Sequence, residues 1–171
     1  MNKAVAILVI LSIIFTFTFT VTSCSASGTE EKTYAAVGEM LQREANAPAG
    51  TVYTSSAQED ESGYIQPALE DALWGGADDM QYVKEYSHFL SSFEHPCELA
   101  VFLCYTKSGA HKVSQMCLRR ISELSFTWKN VGNEDYMKYI RNSKVAVKGK
   151  YVIMAISSDA ETAIKADKSI I

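Results

Sequence analysis

Residues 98–106, which read ELAVFLCYT, decide the fold of this chain. The run has the length of one β-strand, and apolar side chains occupy positions of both parities along it. A strand of this kind is covered on both faces, so 98–106 is predicted to be a central strand of a sheet. An antiparallel partner is predicted over 85–93, because the link 94–97 is short enough for a hairpin.

A second hairpin is predicted over 144–148 and 151–157, which flank Gly149. Each hairpin precedes a helix: one over 108–126 with Ser108 as its cap, and one over 159–168 capped by Asp159. Further helices are predicted over 31–45, 68–74 and 133–140, whereas 51–67 is expected to be a loop with at most a short strand. The predicted class is α+β, an antiparallel sheet of two hairpins with helices packed on it, in which strand-strand-helix occurs twice after an N-terminal helix.

Composition limits the classes of function. The chain has 171 residues, 47% of them apolar, and 16 basic against 20 acidic side chains. No block of basic residues stands out, which argues against a nucleic-acid partner. Residues 33–171 are enough for one domain with a sizeable core.

The N-terminus has the features of an export signal. Lys3 precedes residues 4–21, which carry no charge, and the run ends in VTSC at 21–24. This ending resembles a bacterial lipobox, in which small residues precede a cysteine whose thiol receives diacylglycerol. The prediction is a signal peptide over 1–23, a lipidated Cys24 and a tether over 24–32, which place the domain on the extracytoplasmic face of the cell membrane. The membrane, contacted through lipid on Cys24, is the one partner predicted.

Two alternatives for this segment remain open. Cleavage after Ala26 would give a secreted protein, since small residues also surround that bond. An uncleaved leader would remain as a transmembrane anchor, because eighteen uncharged residues are within the range that spans a bilayer. All three interpretations place the domain outside the cytoplasm.

An ordered series of short segments supports a family resemblance. It consists of WGGAD at 74–78, ELAVF at 98–102, Arg119-Arg120-Ile121 at the end of a helix, and VKGKYV at 147–152. Together with the lipobox, this series resembles a domain-of-unknown-function family of small lipoproteins from Gram-positive bacteria. The resemblance covers about 68–166 and does not extend to 51–67. It implies a membrane-anchored, extracytoplasmic setting, and it implies no activity, cofactor or catalytic residue.

The segment His95-Pro96-Cys97-Glu98 is where His, Cys and a carboxylate cluster. A metal site would need a second spaced pair of ligands, which is missing. Neighbouring His and Cys side chains rarely face each other, which disfavours a nucleophilic dyad. The main interpretation is therefore a hairpin turn with Glu98 exposed. His88, on the preceding strand, is expected at the surface of the sheet.

Other groups are weaker candidates. Arg119 and Arg120 could form a basic face with Lys107 and Lys112, although such residues more often solvate a helix. Three cysteines remain after Cys24, and Cys97 and Cys104 are predicted on opposite faces of a strand. Cys104 and Cys117 are predicted as buried side chains, with a pairing of the two as the alternative if the helix folds back over the strand. The aromatic residues Trp74, Trp128, Tyr136 and Tyr139 are expected mainly in the core, with the lining of a cleft as the alternative.

The functional prediction follows from these observations. No recognised catalytic, cofactor or metal motif occurs, so a non-enzymatic binding or scaffolding module at the cell envelope is expected. His95, Cys97, Glu98, Arg119 and Arg120 are the candidate binding residues. The alternative is a small enzyme that uses a Cys/His site near His95 and Cys97.

Overall fold

The structure, a computed structural model, describes residues 30–44, 47–75, 78–92 and 94–166. The predicted signal peptide and Cys24 lie outside these residues. The described residues form the helices α1 (Glu30–Arg43), α2 (Pro67–Trp74), α3 (Lys107–Val131), α4 (Glu134–Asn142) and α5 (Ala160–Ala166), with a 3₁₀ turn at Asp78–Tyr82. The same residues form the strands β1 (Gly50–Thr54), β2 (Val83–Ser91), β3 (Glu98–Cys104), β4 (Lys144–Lys148) and β5 (Tyr151–Ile156).

The five strands form one antiparallel sheet in the order β1-β2-β3-β5-β4. Strand β3 is central, and all seven of its residues are buried. The α+β class, the two hairpins and the repeated strand-strand-helix order are confirmed. Strand β1 arises from the segment predicted to be mainly loop, and it extends the sheet by pairing with β2.

Strand parity divides the core into two clusters, one on each face of the sheet. Ala100, Phe102 and Cys104 face α3, together with Val113 and Cys117 of that helix. Leu99 and Val101 belong to the opposite cluster, which contains buried residues of α1 and α5. The apolar character of β3 on both parities is explained by these two helical layers.

Helix α3 begins earlier and ends later than predicted. Thr106 is its cap, because the Thr106 Oγ1 accepts a hydrogen bond from the Gly109 N–H at 2.9 Å. Ser108, the predicted cap, lies inside the first turn. The helix continues to Val131 and ends at Gly132, whose φ of 74° is a left-handed conformation that glycine adopts without strain.

Helix α1 is held on the sheet face opposite α3. The hydroxyl oxygens of Thr33 and Ser87 lie 3.0 Å apart in a buried hydrogen bond between α1 and β2. Beyond the C-terminal end of α1, the Glu44 carboxylate accepts hydrogen bonds from the backbone N–H and the hydroxyl of Ser158. The helix begins at Glu30, so residues 30–32, assigned to the tether from sequence, belong to α1.

Candidate functional site

A cleft of about 580 Å³ opens beside the β1–β2 end of the sheet, between α2 and α3. Its wall is largely apolar, and its polar side includes His95, Glu98 and Arg120. The apolar side chains include Leu69 and Leu73 of α2, Leu90 of β2, and Leu124 and Trp128 of α3. The cleft therefore brings together a few polar groups on an apolar surface, which is typical of small-molecule sites.

Glu98 and Arg120 form a buried ion pair at this cleft. Glu98 is the first residue of β3, and its side chain has the same parity as Ala100 and Phe102, which turns it toward α3. Arg120 Nη2 donates to Glu98 Oε1 at 2.5 Å, and Arg120 Nε donates to Glu98 Oε2 at 3.2 Å. The Glu98 side chain is 6% exposed and that of Arg120 is 16% exposed. This two-point contact fixes both side chains.

His88 lies behind the ion pair. It is opposite Ala100 in the register of β2 and β3, it is fully buried, and its ring centroid is 5.1 Å from that of Trp74. Its Nε2 is 3.6 Å from Glu98 Oε2, beyond a normal hydrogen bond. Burial works to raise the pKa of Glu98, but the neighbouring His88 and Arg120 outweigh it and lower the pKa below its usual value. Glu98 is therefore ionised at neutral pH.

His95 is held by its turn and by two tyrosines. Its Nδ1 accepts a hydrogen bond from the Cys97 backbone N–H at 3.1 Å. Its ring centroid is 5.0 Å from that of Tyr136 and 4.7 Å from that of Tyr139. Burial lowers the pKa of His95, against an opposing effect of the Glu44 carboxylate. The ring is therefore neutral at pH 7, with its proton on Nε2, since Nδ1 is an acceptor.

The five candidate residues separate into two groups. His95, Glu98 and Arg120 line the cleft, whereas Cys97 and Arg119 do not. Cys97 is fully buried in the cluster on the α1 side of the sheet. Arg119 is 54% exposed, and its Nη2 donates to Asp79 Oδ2 at 2.6 Å.

Two expectations from the sequence are wrong here. Glu98 was expected to be exposed, but its strand parity turns it into the interface with α3. His88 is fully buried rather than at the sheet surface. The less favoured alternative, a basic face containing Arg119 and Arg120, is not supported, because the two adjacent guanidinium groups pair with carboxylates on different elements.

The cysteines Cys97, Cys104 and Cys117 are reduced and buried. Cys97 and Cys104 lie on opposite faces of the sheet, as their spacing predicted. Desolvation by burial, with a smaller contribution from Glu44, raises the pKa of Cys97 to about 12, and burial raises that of Cys104 to about 11. Burial also raises the pKa of Cys117 far above its usual range. These thiols are therefore protonated at neutral pH.

Within the described residues, no group of three or more His, Cys, Asp or Glu side chains is arranged to hold a metal ion. In the same part of the chain, no helix combines the length and the apolar character that crossing a bilayer requires. The chain matches no protein-family model, and comparisons with curated proteins and with solved structures give no match either. The resemblance to a lipoprotein family thus stays a prediction.

Proposed function

We propose that this chain is a non-enzymatic binding module that holds a small ligand in the cleft between α2 and α3. The observation that carries the proposal is the ion pair of Glu98 and Arg120 in the wall of a largely apolar cleft. The cleft volume of about 580 Å³ is within the range of small-molecule sites. The leucines and Trp128 would contact the apolar body of the ligand, and the polar groups would orient it.

The chemistry of the lining residues favours binding over catalysis. The Cys97 thiol lies on the other face of the sheet and is protonated, so it is not placed to attack a ligand in the cleft. His95 carries its proton on Nε2 and uses Nδ1 as an acceptor, so it has no free basic nitrogen. Both Glu98 oxygens accept from Arg120. Each of these groups is placed for a structural or donor role, which disfavours the alternative enzyme at His95 and Cys97.

Binding can be tested with N-phenyl-1-naphthylamine, an uncharged dye whose fluorescence rises in apolar surroundings. We expect saturable binding to the wild-type protein and its loss in Ala72→Phe, because Ala72 lines the cleft and phenylalanine would fill part of it. Ala68→Phe is the matched control, since Ala68 is also exposed on α2 and does not line the cleft. Equal binding by both variants would refute the proposal that the dye and its natural counterpart use this cleft.

The location of the module is a separate proposal, supported by the uncharged run and the VTSC motif of the leader. We expect the protein produced in a bacterial host to enter the detergent phase of a Triton X-114 partition. Cys24→Ala should enter the aqueous phase or accumulate as an unprocessed form, whereas Ser25→Ala, as a control, should behave as wild type. Identical partition and processing of wild type and Cys24→Ala would refute lipidation.

A further inference from the structure

We infer that the cleft selects an uncharged carbonyl group, such as an amide, ester or ketone, carried on an apolar body, and discriminates against a carboxylate. This inference rests on the proposed binding function and names the chemical class of the ligand. Its basis is the set of hydrogen-bond donors that the lining residues present, together with the charge around them.

The ion pair presents mainly donors, because the Glu98 carboxylate is only 6% exposed and each of its oxygens is already engaged by Arg120. Both Glu98 oxygens accept hydrogen bonds from Arg120, through Nη2 and Nε. A guanidinium group has five N–H donors, so three remain after these two contacts. Arg120 is partly exposed and lines the cleft, so a ligand there meets N–H groups rather than a free carboxylate. A complementary ligand group must accept hydrogen bonds.

His95 presents the same kind of group from another part of the wall. Its Nδ1 is occupied by the Cys97 N–H, which leaves Nε2–H as its donor. The contacts with the Tyr136 and Tyr139 rings restrict the orientation of the imidazole. Two polar side chains of the lining, Arg120 and His95, therefore both offer donors to an acceptor in the cleft.

The balance of charge decides between a neutral and an anionic acceptor. Glu98 neutralises Arg120 within the pair, and His95 is uncharged. The further charge that acts on His95 is the negative charge of Glu44. A carboxylate ligand would lose its hydration and meet no uncompensated positive charge among the described residues that line the cleft, whereas a neutral carbonyl loses much less hydration on entry. The donors are thus best matched by an uncharged acceptor.

The test compares three probes with the same aromatic body: naphthalene-2-carboxamide, naphthalene-2-carboxylate and 2-methylnaphthalene. Each displaces N-phenyl-1-naphthylamine from the wild-type protein at pH 7.5, and the competition constants are compared. We expect the amide to bind about tenfold more tightly than either of the others, as one or two net hydrogen bonds would give. A carboxylate that binds as tightly as the amide, or an amide no better than the hydrocarbon, would overturn the inference.

The variant Glu98→Gln tests whether the negative charge of Glu98 disfavours a carboxylate ligand. The glutamine leaves the Arg120 charge uncompensated, so the amide-to-carboxylate preference should fall by about tenfold or reverse. Glu94→Gln is the matched control, because Glu94 is exposed in the same connection and does not line the cleft. An unchanged preference in a folded Glu98→Gln protein would contradict the inference.

His95→Phe keeps the inference testable if Glu98→Gln does not fold. Phenylalanine retains an aromatic ring between the tyrosines and removes the donor, so amide affinity should fall by about two- to tenfold while that of 2-methylnaphthalene is unchanged. His111→Phe, at an exposed position of α3, should change neither. Failure of the dye to bind at all would refute the proposed function, whereas dye binding without carbonyl preference would refute only the ligand class.

Discussion

Removing the Arg120 guanidinium should destabilise the domain far more than removing that of its neighbour Arg119. Arg120→Met leaves the Glu98 carboxylate, 6% exposed, without its partner. Breaking a buried pair in this way costs about 3–5 kcal/mol, and we expect about 3 kcal/mol because the Arg120 side chain is 16% exposed at the cleft. Arg119→Met loses one exposed ion pair with Asp79 and should cost less than about 1 kcal/mol.

The pH dependence of the unfolding free energy shows whether the unpaired Glu98 carboxylate causes the loss of stability in Arg120→Met. The pKa of Glu98 in the folded protein lies below its usual value because of His88 and Arg120, so these contacts contribute stability above the unfolded pKa and lose it as the pH falls through the folded pKa. In Arg120→Met, only His88 still opposes the effect of burial, so the pKa of Glu98 should rise relative to wild type, and the folded variant takes up a proton at higher pH. The free energy of unfolding of Arg120→Met should therefore come closer to that of wild type as the pH falls from 7.5 to 5.

The assay is urea denaturation followed by the fluorescence of the two tryptophans, at pH 7.5, 6 and 5. The double variant Glu98→Leu/Arg120→Met removes both charges and should recover to within about 1 kcal/mol of wild type, since apolar replacements of buried pairs are often neutral or stabilising. Two results would contradict a buried, charged Glu98: a loss of unfolding free energy in Arg120→Met no larger than in Arg119→Met, or a loss in Arg120→Met that does not change with pH.

Three further predictions concern a helix cap, two glycines and a buried thiol. Thr106→Ala should lower the free energy of unfolding by about 1 kcal/mol, as the loss of a helix cap does, while Ser108→Ala should change it little; a larger effect at Ser108 would contradict the cap assignment. Gly50→Ala places a Cβ 2.3 Å from a backbone oxygen of β2 and should lower the free energy of unfolding by about 1–3 kcal/mol. Gly38→Ala, in open space on α1, should raise it by about 0.5–1 kcal/mol. Equal shifts of the urea midpoint in the two variants would refute this packing. Cys97 should resist iodoacetamide at pH 8 in the folded protein and react after unfolding, as read by peptide mass spectrometry; labelling of the native thiol at the rate of free cysteine would show that it is accessible.

The architecture was predictable because its main signals are local. The apolar run of β3, the hairpin at Gly149 and the helical stripe of α3 each specify an element and the faces it buries. Strand β1 was harder to predict, because Gly50–Thr54 has only five residues and begins at a glycine, a residue type that is depleted in strands. Its place at the edge of the sheet depends on pairing with β2, more than thirty residues away, which local patterns do not report.

The site was predicted in part, and the errors have a common cause. His95, Cys97 and Glu98 were treated as one motif because they are adjacent in sequence, but strand parity sends Cys97 and Glu98 to opposite faces of the sheet. The same parity argument correctly separated Cys97 from Cys104, and applied to Glu98 it would have placed that carboxylate toward α3. The spacing of Cys97, Glu98 and Cys104 along the strand thus indicates which face of the sheet each side chain occupies.

Arg120 shows the second missed signal. It lies three residues after Cys117 and four before Leu124, which places it within the apolar stripe of α3, whereas Arg119 is about 100° away around the helix. A charge within a buried stripe requires a partner, and Glu98 was the available carboxylate on the facing strand. His88 likewise shares the parity of Tyr86 and Leu90 on β2, which indicates a buried ring. The cleft itself was not predictable, because its walls come from elements far apart in sequence.

The ion pair is more readily explained by its position at the cleft than by stability. Apolar side chains of similar volume would hold β3 and α3 together at least as well, since burying two charges costs hydration that their attraction only partly restores. What the pair adds is a guanidinium group held in one orientation, with its charge compensated and three N–H donors left over. Glu98→Leu/Arg120→Met should therefore keep the fold and lose the preference for a carbonyl ligand. If the double variant kept that preference, His95 alone would account for it, and the ion pair would serve only to join the strand to the helix.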